Sequence, residues 1–273
     1  MSIIAALILG AIQGITEFLP VSSSGHLVLF QRIFGISEPA LLFDTMVHGG
    51  TLIAVFIVLR RDIWEILRRP IQPLTAYLII ATLPAVAVAL VFKDTIEGAF
   101  ASGAFLGFAF LITSALLLAA EFLSRGPGGE NSEGGLKGKE TMNWLDALII
   151  GLLQGVAIIP GVSRSGSTLS GALSRKLNRD FAARFSFLLS IPAILGALVL
   201  QIKDLAEGAG GAGIGMAPLL AGTLAAAVVG FFSIRVMLKI VRERSLTGFA
   251  IYTAVLGTLV LFDQMVSHLV FKG

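Results

Sequence analysis

The sequence predicts an all-α polytopic membrane protein, an inverted-topology repeat with two re-entrant helix–loop–helix segments and about six transmembrane helices. Three observations carry this. Of 273 residues, 56% are hydrophobic and 14% charged, with a mean hydropathy of +0.91, whereas a soluble domain carries about 25% charged residues. Several apolar stretches approach the roughly 20 residues a helix needs to cross a bilayer. Finally, a nonapeptide recurs, ALILGAIQG at 6–14 and ALIIGLLQG at 147–155.

The elements follow in order. Residues 1–30 are apolar but broken by Gly, Pro and Ser. Their first basic neighbour is Arg32, so the charged leader of a signal peptide is missing and a helix–loop–helix is expected. Spans follow near 43–59, 74–92 and 101–120. Residues 125–140, RGPGGENSEGGLKGKE, form a flexible polar linker, inside a cytoplasmic segment 122–144 that separates a first repeat half, 1–121, from a second, 145–273. The two halves make one membrane domain. Residues 146–174 are again apolar and broken. Spans near 185–202, 217–234 and 249–269 complete the chain, with a Gly-rich outer loop at 207–217.

Basic residues orient these spans. They cluster at Arg60, Arg61, Arg68 and Arg69; at Arg125, Lys137 and Lys139; at Arg175, Lys176, Arg179 and Arg184; and at Lys239, Arg242 and Arg244, with Arg32, Lys93, Lys203 and Lys272 standing singly. The positive-inside bias places the four clusters in the cytoplasm. The spans alternate consistently only if 146–174 begins and ends on that side. The formal net charge of +3 is explained by this clustering, and no nucleic-acid partner is expected.

The repeat fixes the remaining segment. Downstream of the nonapeptide, Val21-Ser22-Ser23-Ser24-Gly25 lies in the same register against Val162-Ser163-Arg164-Ser165-Gly166. Residues 1–30 are then re-entrant too, entering from the opposite side. Irregular backbone at membrane depth is tolerated where it is buried in protein or lines a wet cavity, so a site is expected where the two loops meet near the midplane.

The loops carry different chemistry. The first holds Gln13 and Glu17, four apart and so on one helical face, with Ser22, Ser23, Ser24 and His26. The second holds Gln154, Ser163, Arg164, Ser165, Ser167 and Thr168. These groups suit a phosphate. Arg164 offers a planar fork matched to phosphate oxygens, a helix beginning after Gly166 adds its positive dipole end, and the hydroxyls of Ser163, Ser165 and Thr168 donate. His26 or Ser23 can attack phosphorus, and Glu17 can act as a base or hold a divalent cation. A close-packing seam for Ser22–Gly25 and a structural ion pair for Glu17 and Arg164 are the plainer readings. Against them stands the cost of ionisable groups within a membrane. Asp44 and His48 share a face at the start of a span and fit either the pocket or the interface. Glu121 and His268, at span ends, read as solvated. With no cysteine, disulfides, thiolate metal sites and a Cys nucleophile are excluded.

QGITEFLPVSSSGH at 13–26 and PGVSRSGST at 160–168 resemble the two signature motifs of the bacterial undecaprenyl pyrophosphate phosphatase family, the bacitracin-resistance type, and the similarity extends along the chain. The resemblance implies a multi-pass plasma-membrane hydrolase that converts undecaprenyl diphosphate to the monophosphate and inorganic phosphate, recycling the carrier for cell-wall polymers and conferring bacitracin resistance. It implies catalytic roles for Glu17, Ser23, His26 and Arg164. Substrate contacts are implied at Gln13, Ser163, Ser165 and Thr168, to which the chemistry of the loops adds Ser22, Ser24 and Gly166; the resemblance also implies Mg2+ or Ca2+, for which Glu17 is the chief ligand, and a pocket opening outward. Gln13 stands where the family also uses Glu, which leaves one fewer carboxylate for a cation. The expected partners are the lipid diphosphate and membrane lipid, with a homodimer left open. Ser23 with His26 as its base, attack by His26, and water activated by His26 all fit the sequence, the first being preferred. A lipid flippase or transporter built on the same repeat is the alternative.

Overall fold

Where lipid replaces water, a chain must satisfy its backbone polar groups internally, and helices do so within one segment. The computed structural model describes residues 1–36, 41–92, 95, 96, 98, 103–124, 136–206 and 214–271. Its helices are α1 (Ile3–Thr16), α2 (Ser23–Ile33), α3 (Leu41–Val58), α4 (Arg60–Arg68), α5 (Pro73–Val91), α6 (Leu106–Ser124), α7 (Trp144–Val156), α8 (Arg164–Ser174), α9 (Arg179–Ala206), α10 (Met216–Glu243) and α11 (Thr247–Phe262). A π-helical turn, Asp263–Ser267, continues the last. Most of the linker, 125–135, and most of the Gly-rich outer loop, 207–213, lie outside the described residues, as do Lys93 and Lys272.

Among the described residues, five helices are long and apolar enough to cross a membrane, and six if α3 and α4 count as one bent element. The bend between those two is 77°, and α4 has no buried residue and begins Arg60-Arg61-Asp62. We therefore read α3 as the span and α4 as an amphipathic helix along the surface. The helices outrun the apolar stretches in the second half: α9 begins at Arg179 rather than near 185, and α10 reaches Glu243 rather than 234. Arg235, Lys239 and Arg242 continue α10 because their long stems keep the charge in water while the backbone stays helical.

The two broken stretches form the expected hairpins, α1–α2 and α7–α8. The second helices of the two hairpins have equal length and the same register, 141 positions apart (Ser23 against Arg164). Each is started by the matching serine, Ser22 or Ser163, whose Oγ accepts from the N–H of Gly25 or Gly166. The hairpins exchange partners between the halves, α1 packing along α10 and α7 along α5. Glycine permits both approaches. A Cβ on Gly10 would stand 2.2 Å from the Gly222 carbonyl oxygen, and one on Gly151 would stand 2.6 Å from that of Ala81.

The four basic segments meet on one face. Lys139 pairs with Glu65 and Arg184 with Asp62, joining the second and third segments to α4. Lys176 donates to the Leu123 carbonyl, and Arg179 to those of Val241 and Arg244. Glu121, expected to be solvated, is 5% exposed. It pairs with Arg179 and accepts the Leu246 N–H at 2.7 Å, tying the end of α6 to the start of α9 and the α10–α11 turn. A hydropathy reading ends the span near Glu121 and cannot see this neighbour. His268 is exposed as expected.

Candidate active site

The site forms where the hairpin loops touch, and its centre is one carboxylate. Glu17 follows the last residue of α1 as its C-cap, so Gln13 lies one turn before it, and Gln13 Nε2 donates to Glu17 Oε2 at 2.9 Å. Ser23, first residue of α2, donates from Oγ to the same oxygen at 2.6 Å. From the other hairpin, Arg164 Nη2 donates to Glu17 Oε1 at 2.6 Å while Nη1 reaches the Ser186 carbonyl at 3.2 Å. From α3, His48 Nε2 stands 3.6 Å from Glu17 Oε2. Glu17 is 6% exposed. A carboxylate so buried is costly unless paired and hydrogen-bonded, and here it is both.

The remaining sequence candidates surround this centre. Ser22 and Ser163 spend their hydroxyls as helix caps. Because Ser163 is the cap, α8 begins at Arg164 and not after Gly166, and the Gly166 N–H is used within the cap. That placement lets the Arg164 guanidinium reach back across the loop. Ser165 Oγ donates to the Leu19 carbonyl at 2.9 Å, fastening the two loops together. Thr168 Oγ1 lies 2.6 Å from Ser186 Oγ, and Ser24 is half-buried on the first turn of α2.

His26 stands apart from Ser23. Its Nδ1 lies 2.7 Å from the Ser22 carbonyl, and its Nε2 lies 2.7 Å from the Tyr252 hydroxyl of α11. The expected Ser23–His26 pair therefore does not form, and the acceptor for the Ser23 hydroxyl is Glu17. Ser22 holds φ at +71°, a left-handed conformation that costs a non-glycine residue about 1–3 kcal/mol. Of the residues left undecided by sequence, His48 reaches Glu17. Asp44 does not; its Oδ1 accepts from Gln31 Nε2 at 2.6 Å, and its carbonyl lies 2.6 Å from His48 Nδ1. Ser186, Thr113, whose Oγ1 accepts the Ser163 N–H at 3.0 Å, and Tyr252 have no counterpart in the sequence reading.

The donor set can be tested against a hard cation. Glu17 Oε2 accepts two hydrogen bonds and Oε1 one, so a single lone-pair site stays open on Oε1. Gln13 Oε1 is buried with no hydrogen-bond partner among the described residues. Among the described residues no three His, Asp or Glu side chains group to hold a metal. This arrangement fits a cation that takes most of its ligands from phosphate oxygens, as Mg2+ does when held by one or two carboxylates.

Comparison with known proteins places these residues in context. A family described as "Bacitracin resistance protein BacA" matches residues 6–259. A protein of Carboxydothermus hydrogenoformans named undecaprenyl-diphosphatase is 48% identical over 265 residues, covering 97% of this chain and 98% of its own. Undecaprenyl-diphosphatase 3 of Bacillus cereus is 42% identical over 264 residues, with 97% and 98% covered. An undecaprenyl-diphosphatase of Methanosphaera stadtmanae is 38% identical over 288, with 97% and 99% covered.

Proposed function

Since this chain belongs to the bacitracin resistance protein BacA family, we propose that it hydrolyses undecaprenyl diphosphate to undecaprenyl phosphate and inorganic phosphate. By returning the carrier to cell-wall synthesis, it confers bacitracin resistance. Full-length similarity to proteins named for that activity supports the reading. The observation that carries it is the bond from Ser23 Oγ to Glu17 Oε2, beside a guanidinium from the opposite hairpin.

In this mechanism the prenyl chain lies against the lipid-facing helices and the diphosphate enters between the loops. Arg164 turns its fork from Glu17 to the terminal phosphate, where a planar pair of donors matches two oxygens. Glu17, released from Arg164, accepts the Ser23 proton. Ser23 Oγ bonds to the terminal phosphorus, and the bridging P–O bond breaks with its electron pair leaving on the lipid monophosphate. Water then attacks the phosphoserine, releasing inorganic phosphate, and Glu17 returns a proton to Ser23. Gln13 and Glu17 would hold Mg2+ or Ca2+ arriving with the diphosphate, which supplies charge neutralisation at the phosphates. The pocket opens to the outer face of the bacterial plasma membrane, a reading that rests on the basic segments meeting at the other face.

The test is phosphate release from undecaprenyl diphosphate by detergent-purified protein, with and without Mg2+ or Ca2+, beside Arg164→Ala. Metal-dependent release that the variant abolishes supports the assignment. No release from a folded, monodisperse sample refutes it and favours lipid transport, read in sealed vesicles.

A further inference from the structure

His26 is held by partners that define its proton inventory. The Ser22 carbonyl can only accept, so the 2.7 Å contact at Nδ1 requires the proton to sit on Nδ1. In the neutral ring Nε2 is then bare and accepts from the Tyr252 hydroxyl at 2.7 Å. Tyr252 also lies nearly parallel to the imidazole, at 12° with centroids 5.8 Å apart, and Phe110 meets the ring edge-on at 5.4 Å. Phe110 can come this close because residue 25 is glycine, where a Cβ would stand 2.8 Å from the Phe110 ring. The ring is 3% exposed, while Tyr252 is 47% exposed. One phenol from the second half thus holds the Nε2 edge of a histidine from the first.

We propose that Tyr252 is a positioning residue of the site: its hydroxyl fixes the Nε2 edge of a ring whose Nδ1–H the Ser22 carbonyl already holds, and keeps His26 turned away from the Ser23–Glu17 pair. This rests on the hydrolase reading above. Ser23 and His26 lie three apart on α2 and share a face. Without the Tyr252 bond the ring keeps the Ser22 carbonyl as its one hydrogen-bond partner and can turn about it toward the Ser23 side of the helix. Bonded to Tyr252, Nε2 is occupied, and the ring leaves the Ser23 proton to Glu17. The phenol suits both charge states of the ring, because its hydroxyl donates to bare Nε2 and its oxygen accepts from protonated Nε2. A tyrosine kept only for its ring would serve equally well as phenylalanine.

Tyr252→Phe keeps the stack and removes the hydroxyl, so the test compares this variant with the full-length wild type in detergent. Turnover of undecaprenyl diphosphate is expected to fall about tenfold or more at unchanged KM, as small misplacements of a reacting group do. The second readout is 15N NMR of histidine-labelled protein, in which three histidines are assigned through His26→Gln. The wild type should show His26 as the Nδ1–H tautomer with a hydrogen-bonded Nε2, and that Nε2 resonance should move in Tyr252→Phe. Unchanged turnover overturns the proposal, as does an Nε2 resonance that is identical in both proteins. If the wild type releases no phosphate, the hydrolase reading fails by itself, and the resonance still decides whether Tyr252 holds His26.

Discussion

Arg164 spends its two terminal nitrogens on different acceptors, the Glu17 carboxylate and the Ser186 carbonyl. A lysine could satisfy one of them, as a point charge without the fork. Arg164→Lys is therefore expected to lower kcat/KM on the order of a hundredfold, the usual scale for losing one preorganised donor at a developing charge. Steady-state phosphate release measures it, and near-normal kinetics would contradict the clamp. At this scale the sequence was legible where polar groups concentrate. Gln13, Glu17, Ser23 and Arg164 stand out in an apolar chain, and the structure brings them together. Ser186 and Tyr252 are weakly polar side chains on long apolar helices, and the 226 positions between His26 and Tyr252 leave no spacing to read. The Ser23–His26 pairing is one of three arrangements that the residue types allow, and the preferred one. Residue types alone do not show that Glu17 takes the serine hydroxyl or that Tyr252 takes the ring.

Helix packing here depends on small residues, since lipid gives no hydrophobic drive for helices to associate. Gly10→Ala places a methyl 2.2 Å from the Gly222 carbonyl oxygen, against backbone that cannot step aside. It should destabilise the protein by about 1–3 kcal/mol, the range for overpacking, and lower its melting temperature in detergent. A second packing element is the strap at the base of α7. Asp146 accepts from Lys137 and Arg175 and completes a capping box with Asn143. Burial pushes its carboxyl upward, but the hydrogen bonds from Lys137, Arg175 and Asn143 outweigh that and hold it below its ordinary value. Its contribution to stability is thus complete above the unfolded value near pH 4 and is lost as pH falls through the lower folded value. Melting temperatures measured from pH 5 down to pH 3 should drop more steeply for the wild type than for Asp146→Asn. Element boundaries were legible wherever hydropathy changes sharply. They slipped at α9 and α10, where charged residues continue a helix, and at Glu121, whose partners come from other elements.

At the scale of the whole molecule, the repeat and the basic clusters suffice to predict two hairpins and six spans, because each is a one-dimensional signal in the chain. The exchange of helices between halves has no such signal; it follows from which glycine faces which backbone. Residues 1–124 and 136–273 produced as separate chains should accordingly be active only when coexpressed, with each fragment alone degraded, as immunoblots and phosphate release would show. The same exchange sets a timetable for birth at the ribosome. Glu17 enters the membrane 147 positions ahead of Arg164, a wait of roughly 7–30 s at ordinary elongation rates, and α10, the bed for α1, is made later still. Through that interval the first hairpin carries an unmatched acid and an uncovered glycine face. It must linger at the insertion machinery or near the bilayer surface, so slow translation of the second half should leave it exposed to quality-control proteases.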